Sequence, residues 1–134
     1  MLLDSKLNML SSELCRSILA LDNHISFVAI IDEKGRVRDS QGNNAIIKKL
    51  LGTKKEMFFM ENVLMHRMRK DFDVDLGEVK FTYVERSKRS VLYFPMGNQL
   101  LLVSFVRTLV NSLTLARSIT RLVCRCEKKL KNMS

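Results

Sequence analysis

Apolar and polar positions along the 134 residues form two strand-turn-strand stretches set among helical ones. Leu14, Ile18 and Leu21 recur at spacings of four and three, with Cys15 and Leu19 beside them. That predicts an amphipathic helix from about Ser11. Leu7 and Leu10 extend the stripe backward, and Asp22-Asn23-His24 breaks it. Ile25 to Ile31 is nearly continuous in apolar residues, as a strand covered on both faces is. Asp32-Glu33-Lys34-Gly35 reads as a turn with glycine where positive φ is needed. Arg36 to Ser40 alternates like a half-exposed second strand, which Gln41-Gly42-Asn43-Asn44 ends. Ala45 to Leu51 is predicted as a short helix closed by Gly52.

The next element differs from the rest. Thr53 is a fitting N-cap, Glu56 stands at the capping-box position, and the helix is predicted to run to about Phe72. Met57, Met60, Leu64 and Met68 make one stripe, while Phe58, Phe59, Val63 and Met65 spread well beyond it. A helix lying on one sheet needs a narrower apolar arc, so this one is expected to bury two sides. After an acidic linker, Asp71 to Gly77, the run Glu78 to Glu85 alternates as an edge strand. Val79, Phe81 and Tyr83 share one face; Lys80, Thr82 and Val84 share the other. Arg86 to Arg89 turns into a fourth strand, Ser90 to Phe94, stopped by Pro95. Met96-Gly97-Asn98 leads into a fifth, central strand, Gln99 to Val106. From Thr108 the period is helical: Leu109, Leu113, Ala116, Ile119 and Val123 form a stripe opposite Arg117, Arg121, Arg125 and Lys128.

With the order helix, strand, strand, helix, strand, strand, strand, helix in place, the chain resembles the roadblock/LC7 family of profilin-like domains. The likeness rests on the Ile25–Ile31 strand with its Asp-Glu-Lys-Gly turn and on Leu92-Tyr-Phe-Pro95 followed by Gln99-Leu-Leu-Leu-Val-Ser104 and a long helix. The chain is also similar to small archaeal proteins of that layout. The resemblance covers nearly the whole chain as one domain, 1–134. It implies an α+β fold: a single five-stranded antiparallel sheet with the first and last helices on one face and the middle helix on the other. It implies a homodimer joined through the middle helix and the third strand, serving as a platform for a small GTPase or another signalling protein, with no cofactor. On that basis the expected dimer interface is Met57, Phe58, Phe59, Met60, Val63 and Met65 with Lys80, Thr82 and Val84.

A PAS sensor domain is the alternative, since it shares the strand order and the opening hairpin. Such a domain encloses a ligand behind several short helices, whereas one long helix fills the interval 41–76 here. Met57, Met60, Met65 and Phe59 at helical spacing fit core or interface better than a cofactor site.

Candidate chemistry adds little. The two histidines, His24 and His66, read as a junction residue and as part of a solvated basic face. No nucleophile elbow, zinc-protease, phosphate-loop or dinucleotide motif occurs, which points to a non-enzyme. Asp71-Phe-Asp-Val-Asp75 lacks the glycine and the closing glutamate of a calcium loop, so no metal site is expected. Cys15, Cys124 and Cys126 are an odd number and read as small packing residues, in keeping with a cytoplasmic location. The opening Met1-Leu-Leu-Asp-Ser-Lys6 has no long apolar stretch, so a signal peptide is not expected. The net charge of +9 leaves two basic groups for an anionic partner: Arg67, Arg69 and Lys70, and Arg117, Arg121 and Arg125. Neither has an aromatic interleaved for base stacking and the chain has no tryptophan, so nucleic-acid binding is a less favoured alternative.

Overall fold

The computed structural model describes residues 2–43, 48–50, 52–106 and 111–133. Its elements are α1 (Leu2–Leu19), β1 (Ile25–Ile31), β2 (Val37–Gly42), α2 (Thr53–Lys70), α3 (Asp73–Leu76), β3 (Thr82–Glu85), β4 (Ser90–Met96), β5 (Gln99–Phe105) and α4 (Ser112–Met133). The strands form one antiparallel sheet in the order β2-β1-β5-β4-β3. This is the architecture that the resemblance implies. The expected short helix Ala45 to Leu51 lies largely outside the described residues, as do Thr108 and Leu109 at the expected start of the last helix.

Strand alternation sorts the core into two layers. Val28 and Ile30 of β1, Leu92 and Phe94 of β4, and Leu101 and Val103 of β5 face α1 and α4. There they meet Leu14, Cys15 and Ile18 of α1 and Leu115, Ala116, Ile119 and Val123 of α4. The intervening residues Phe27, Ala29, Ile31, Tyr93, Leu100 and Leu102 face α2, which supplies Phe59 and Val63. Being covered on both faces is why β1, β4 and β5 read as continuous apolar runs.

Glycine is required at two places. Gly35 (φ 79°) makes the β1–β2 turn and lies against α2, where a Cβ would come within 3.3 Å of the Met60 sulfur. Gly42 (φ 96°) ends β2, and a Cβ there would collide with the Ser26 carbonyl oxygen, which accepts a hydrogen bond from Asn43 N–H at 2.7 Å.

Several boundaries differ from expectation, each for a local reason. Thr53 is the first residue inside α2 and not its cap; Gly52 takes that place, with no side-chain cap bond. α2 ends at Lys70, and the acidic linker holds the short helix α3. The third strand is only four residues long. Thr82 pairs with Tyr93, so continuing the register would set Lys80 against Pro95. Proline has no N–H to give, and pairing stops there. Pro95 itself does not stop β4, which continues to Met96, because its missing donor falls on the edge that β3 leaves uncovered. Phe81 and Tyr83 keep the expected face, with ring centroids 6.1 Å from Phe94 and 6.2 Å from Phe105. In α4 the buried ridge starts at Leu115, and Leu113 is exposed. Cys15 and Cys126 are core residues, but Cys124 is exposed. Burial pushes the Cys15 thiol up to about 12 and raises that of Cys126, so both are held as neutral packing groups.

Candidate interaction surface

α2 turns one face to the sheet and another to solvent. At about 100° per residue, Phe59, Val63 and His66 lie on the inner side, with Phe58 and Met60 on the flanks. Phe59 and Val63 are 2% and 5% exposed. They therefore belong to the core and offer nothing to a second copy, a correction to their expected place in a dimer interface. The apolar arc is wide because the sheet takes Phe59 and Val63 directly and also the edges of Phe58 and Met60.

A second apolar stripe points outward. Met57 is 66% exposed, Leu64 46%, Met65 40% and Met68 63%. With Phe72 past the helix end, they fall within roughly 100° of arc. The helix thus has two apolar sides, as expected, but only the inner one is buried within the chain. Of the other expected interface positions, Met57 and Met65 stand in the outer stripe and Lys80 is exposed. Thr82 is half-buried, and Val84 packs against the inner core. Leu64, Met68 and Phe72 belong to the surface although the expected interface omits them. Their spacing of four from one to the next is the signal that could have found them. Beside the stripe, β3 is the edge strand of the sheet and, among the described residues, pairs with β4 alone.

The last turn of α2 does not gather an anion site. Arg67 donates from Nη2 to the Glu33 carbonyl oxygen at 2.7 Å, tying the helix to the β1–β2 turn. Arg69 reaches the opposite way, with Nη1 at 3.5 Å from Thr82 Oγ1. Lys70 is exposed beside Asp73, at the mouth of an open groove of about 540 Å³ that runs past Pro95 to Glu127. Arg117, Arg121 and Arg125 are exposed on α4, across the sheet from α2. The two expected basic groups therefore sit on opposite layers and form no common patch.

His66 is not part of a solvated basic face. Its ring lies inward beside Tyr93, Pro95 and Leu100, and its Nε2 is buried with no hydrogen-bond partner among the described residues. Burial and the neighbouring Lys70 and Arg69 lower its pKa, against a smaller pull from Asp73. His24 is anchored at the α1–β1 junction by Asp22, whose Oδ1 lies 2.6 Å from its Nδ1. Burial raises the Tyr93 hydroxyl, with a hydrogen bond to Asn62 working against it. Two cavities between α2 and the sheet measure about 10 and 50 Å³, room for a water or two, while a third space of about 470 Å³ opens to solvent beside Phe58 and Val91. Among the described residues, no three His, Cys, Asp or Glu side chains converge to hold a metal, and no helix is long and apolar enough to cross a membrane.

No protein-family model and no curated protein matches the sequence. Solved structures do match the fold. A roadblock/LC7 domain from Streptomyces avermitilis is 14% identical, with a TM-score of 0.65, over 90% of this chain and 97% of that one. Myxococcus xanthus MglB is 16% identical, with a TM-score of 0.67, over 97% and 91%. The gliding protein MglB from Thermus thermophilus is 12% identical, with a TM-score of 0.65, over 92% of each. The chain has the roadblock/LC7 fold along almost its entire length.

Proposed function

We propose that this chain is a non-catalytic protein-interaction module that works as a homodimer, with a small GTPase or another signalling protein as its partner. The observation that carries the reading is the outward stripe Met57, Leu64, Met65 and Met68. Four large apolar side chains on one exposed helix face are a surface waiting for a cover. Covering what each still exposes stabilises by about 1 kcal/mol a side chain, and a two-fold seam counts each of them twice. The position of β3 at the edge of the sheet supports the same seam, since edge strands pair with a second edge. The likeness to roadblock domains supports the partner class. The cavities enclosed under α2 hold only a water or two and the larger space at Phe58 is open to solvent, which argues against the walled-off ligand site of a PAS-type sensor, and the division of basic residues between two layers argues against a nucleic-acid binder.

Light scattering at micromolar concentration tests the reading. The wild type is expected at twice the chain mass, and Leu64→Glu or Met68→Glu at the mass of one chain. A wild type that stays monomeric overturns it.

A further inference from the structure

The two ends of the α2 stripe differ in charge. At its start Lys54 and Lys55 are exposed. Beside them lies an apolar pocket of about 470 Å³ floored by Leu50, Phe58 and Val91 and rimmed by Lys49, Arg86, Lys88 and Arg89. No acidic side chain among the described residues lines it. At the other end the chain runs Asp71-Phe-Asp-Val-Asp-Leu76, in which carboxylates alternate with exposed apolar side chains. Val74 is 96% exposed, Leu76 82% and Phe72 58%. This segment and the pocket match in character, apolar to apolar and acid to base. Within one chain they cannot meet, since Phe58 and Phe72 are about 21 Å apart along the helix direction.

A second copy removes that distance. If two α2 helices cross antiparallel about a two-fold near Leu64 and Met65, Met57 of one faces Phe72 of the other, and Glu61 faces Met68. The same pairing sets Lys54 and Lys55 against Asp75 and Val74. A parallel pairing would instead stack lysines on lysines and aspartates on aspartates, with the helix dipoles aligned. Area argues in the same direction. A stable dimer commonly buries about 800 Å² on each partner, more than a single helix stripe provides. We infer that the acidic-apolar segment Asp71–Leu76 of each protomer docks in the basic-rimmed pocket of the other, so that two equivalent contacts clamp the ends of the α2 seam. Phe72 and Leu76, one turn apart across α3, would fill the floor at Phe58 and Val91, while the aspartates face Lys49, Arg86 and Lys88. This rests on the dimer proposed above.

Sedimentation equilibrium of three chains tests it: the wild type; an acid-reversed variant (Asp71→Lys, Asp73→Lys, Asp75→Lys); and a base-reversed variant (Lys49→Glu, Arg86→Glu, Lys88→Glu). Each variant alone is expected to dimerise about tenfold or more weakly than the wild type, since like charges then meet at both ends. An equimolar mixture is expected to regain wild-type affinity as a heterodimer, because both contacts again join opposite charges. That recovery also shows that both variants fold. If the wild type dimerises and the variants match it, or if mixing restores nothing, the end contacts are overturned and the dimer stands. A wild type that is monomeric throughout overturns the dimer and the contacts together.

Discussion

Among the described residues, α1 and α4 close over a layer of seventeen buried residues on one face of the sheet, and α2 alone closes over nine on the other. The first face is finished: two helices cover it, and their outer sides are mostly polar, with Arg117, Arg121 and Arg125 in water and only single exposed large apolar residues, Met9 and Leu113, among the described residues of the two helices. The second face is covered by a helix whose own back is apolar. The same strands therefore support one layer that ends in solvent and one that presents Met57, Leu64 and Met68 to whatever comes next. The contrast separates a layer closed within the chain from one left open at its back. The α1–α4 layer holds most of the core, and the α2 layer commits apolar residues to a surface.

Core truncation should separate the faces most sharply. Phe94→Ala, in the two-helix layer, is expected to cost about 4 kcal/mol in urea unfolding, and Phe59→Ala, under α2, about 3 kcal/mol. The smaller figure reflects a single helix that can settle into the gap. Equal losses would show that α2 is as rigidly held as its counterparts. Acid is the next probe, because the buried histidine His66 lies in the α2 layer. His66 has a folded pKa below its ordinary 6.5, so the unfolded chain takes up the proton first. Stability then falls as pH drops through 6.5, and the loss levels off below the folded pKa. Calorimetric melting temperatures between about pH 7.5 and about pH 5.5 should fall more for the wild type than for His66→Gln, which has no proton to gain. The smallest effect belongs to the outer stripe. Leu64→Ser, measured at concentrations too low for association, should change stability by less than about 0.5 kcal/mol. A larger loss would mean that the stripe already packs within the chain.

The strands and the long helices are legible in the sequence because burial on both faces leaves unbroken apolar runs, as at Ile25–Ile31 and Gln99–Phe105. What the sequence obscures is direction around α2. A helix apolar over a wide arc does not reveal which part meets its own sheet, and Phe59 and Val63 differ from Leu64 and Met68 only in azimuth. The azimuth is set by the sheet beneath, through long-range packing that no local pattern encodes. His66 misleads for the same reason: its basic neighbours Arg67, Arg69 and Lys70 suggest a wet face, yet the ring points between Tyr93 and Pro95. The shortness of β3 is in principle readable from Pro95, but only once the register of Thr82 against Tyr93 is known. The acidic run at 71–76 reads as a linker because alternation of Asp with Phe, Val and Leu is uninformative until those side chains are seen to be bare.

The β1–β2 turn holds α2 at two points seven residues apart, the bare Gly35 under Met60 and the Glu33 carbonyl under Arg67. In geometric terms it is a stop that sets the roll of the helix about its own axis. In the proposed dimer a two-fold axis would double any error in that roll, since each protomer contributes it once in opposite senses. A turn far from any partner would thus govern how well two ridges mesh, and a side chain added at Gly35 would be felt first as misalignment at a distance.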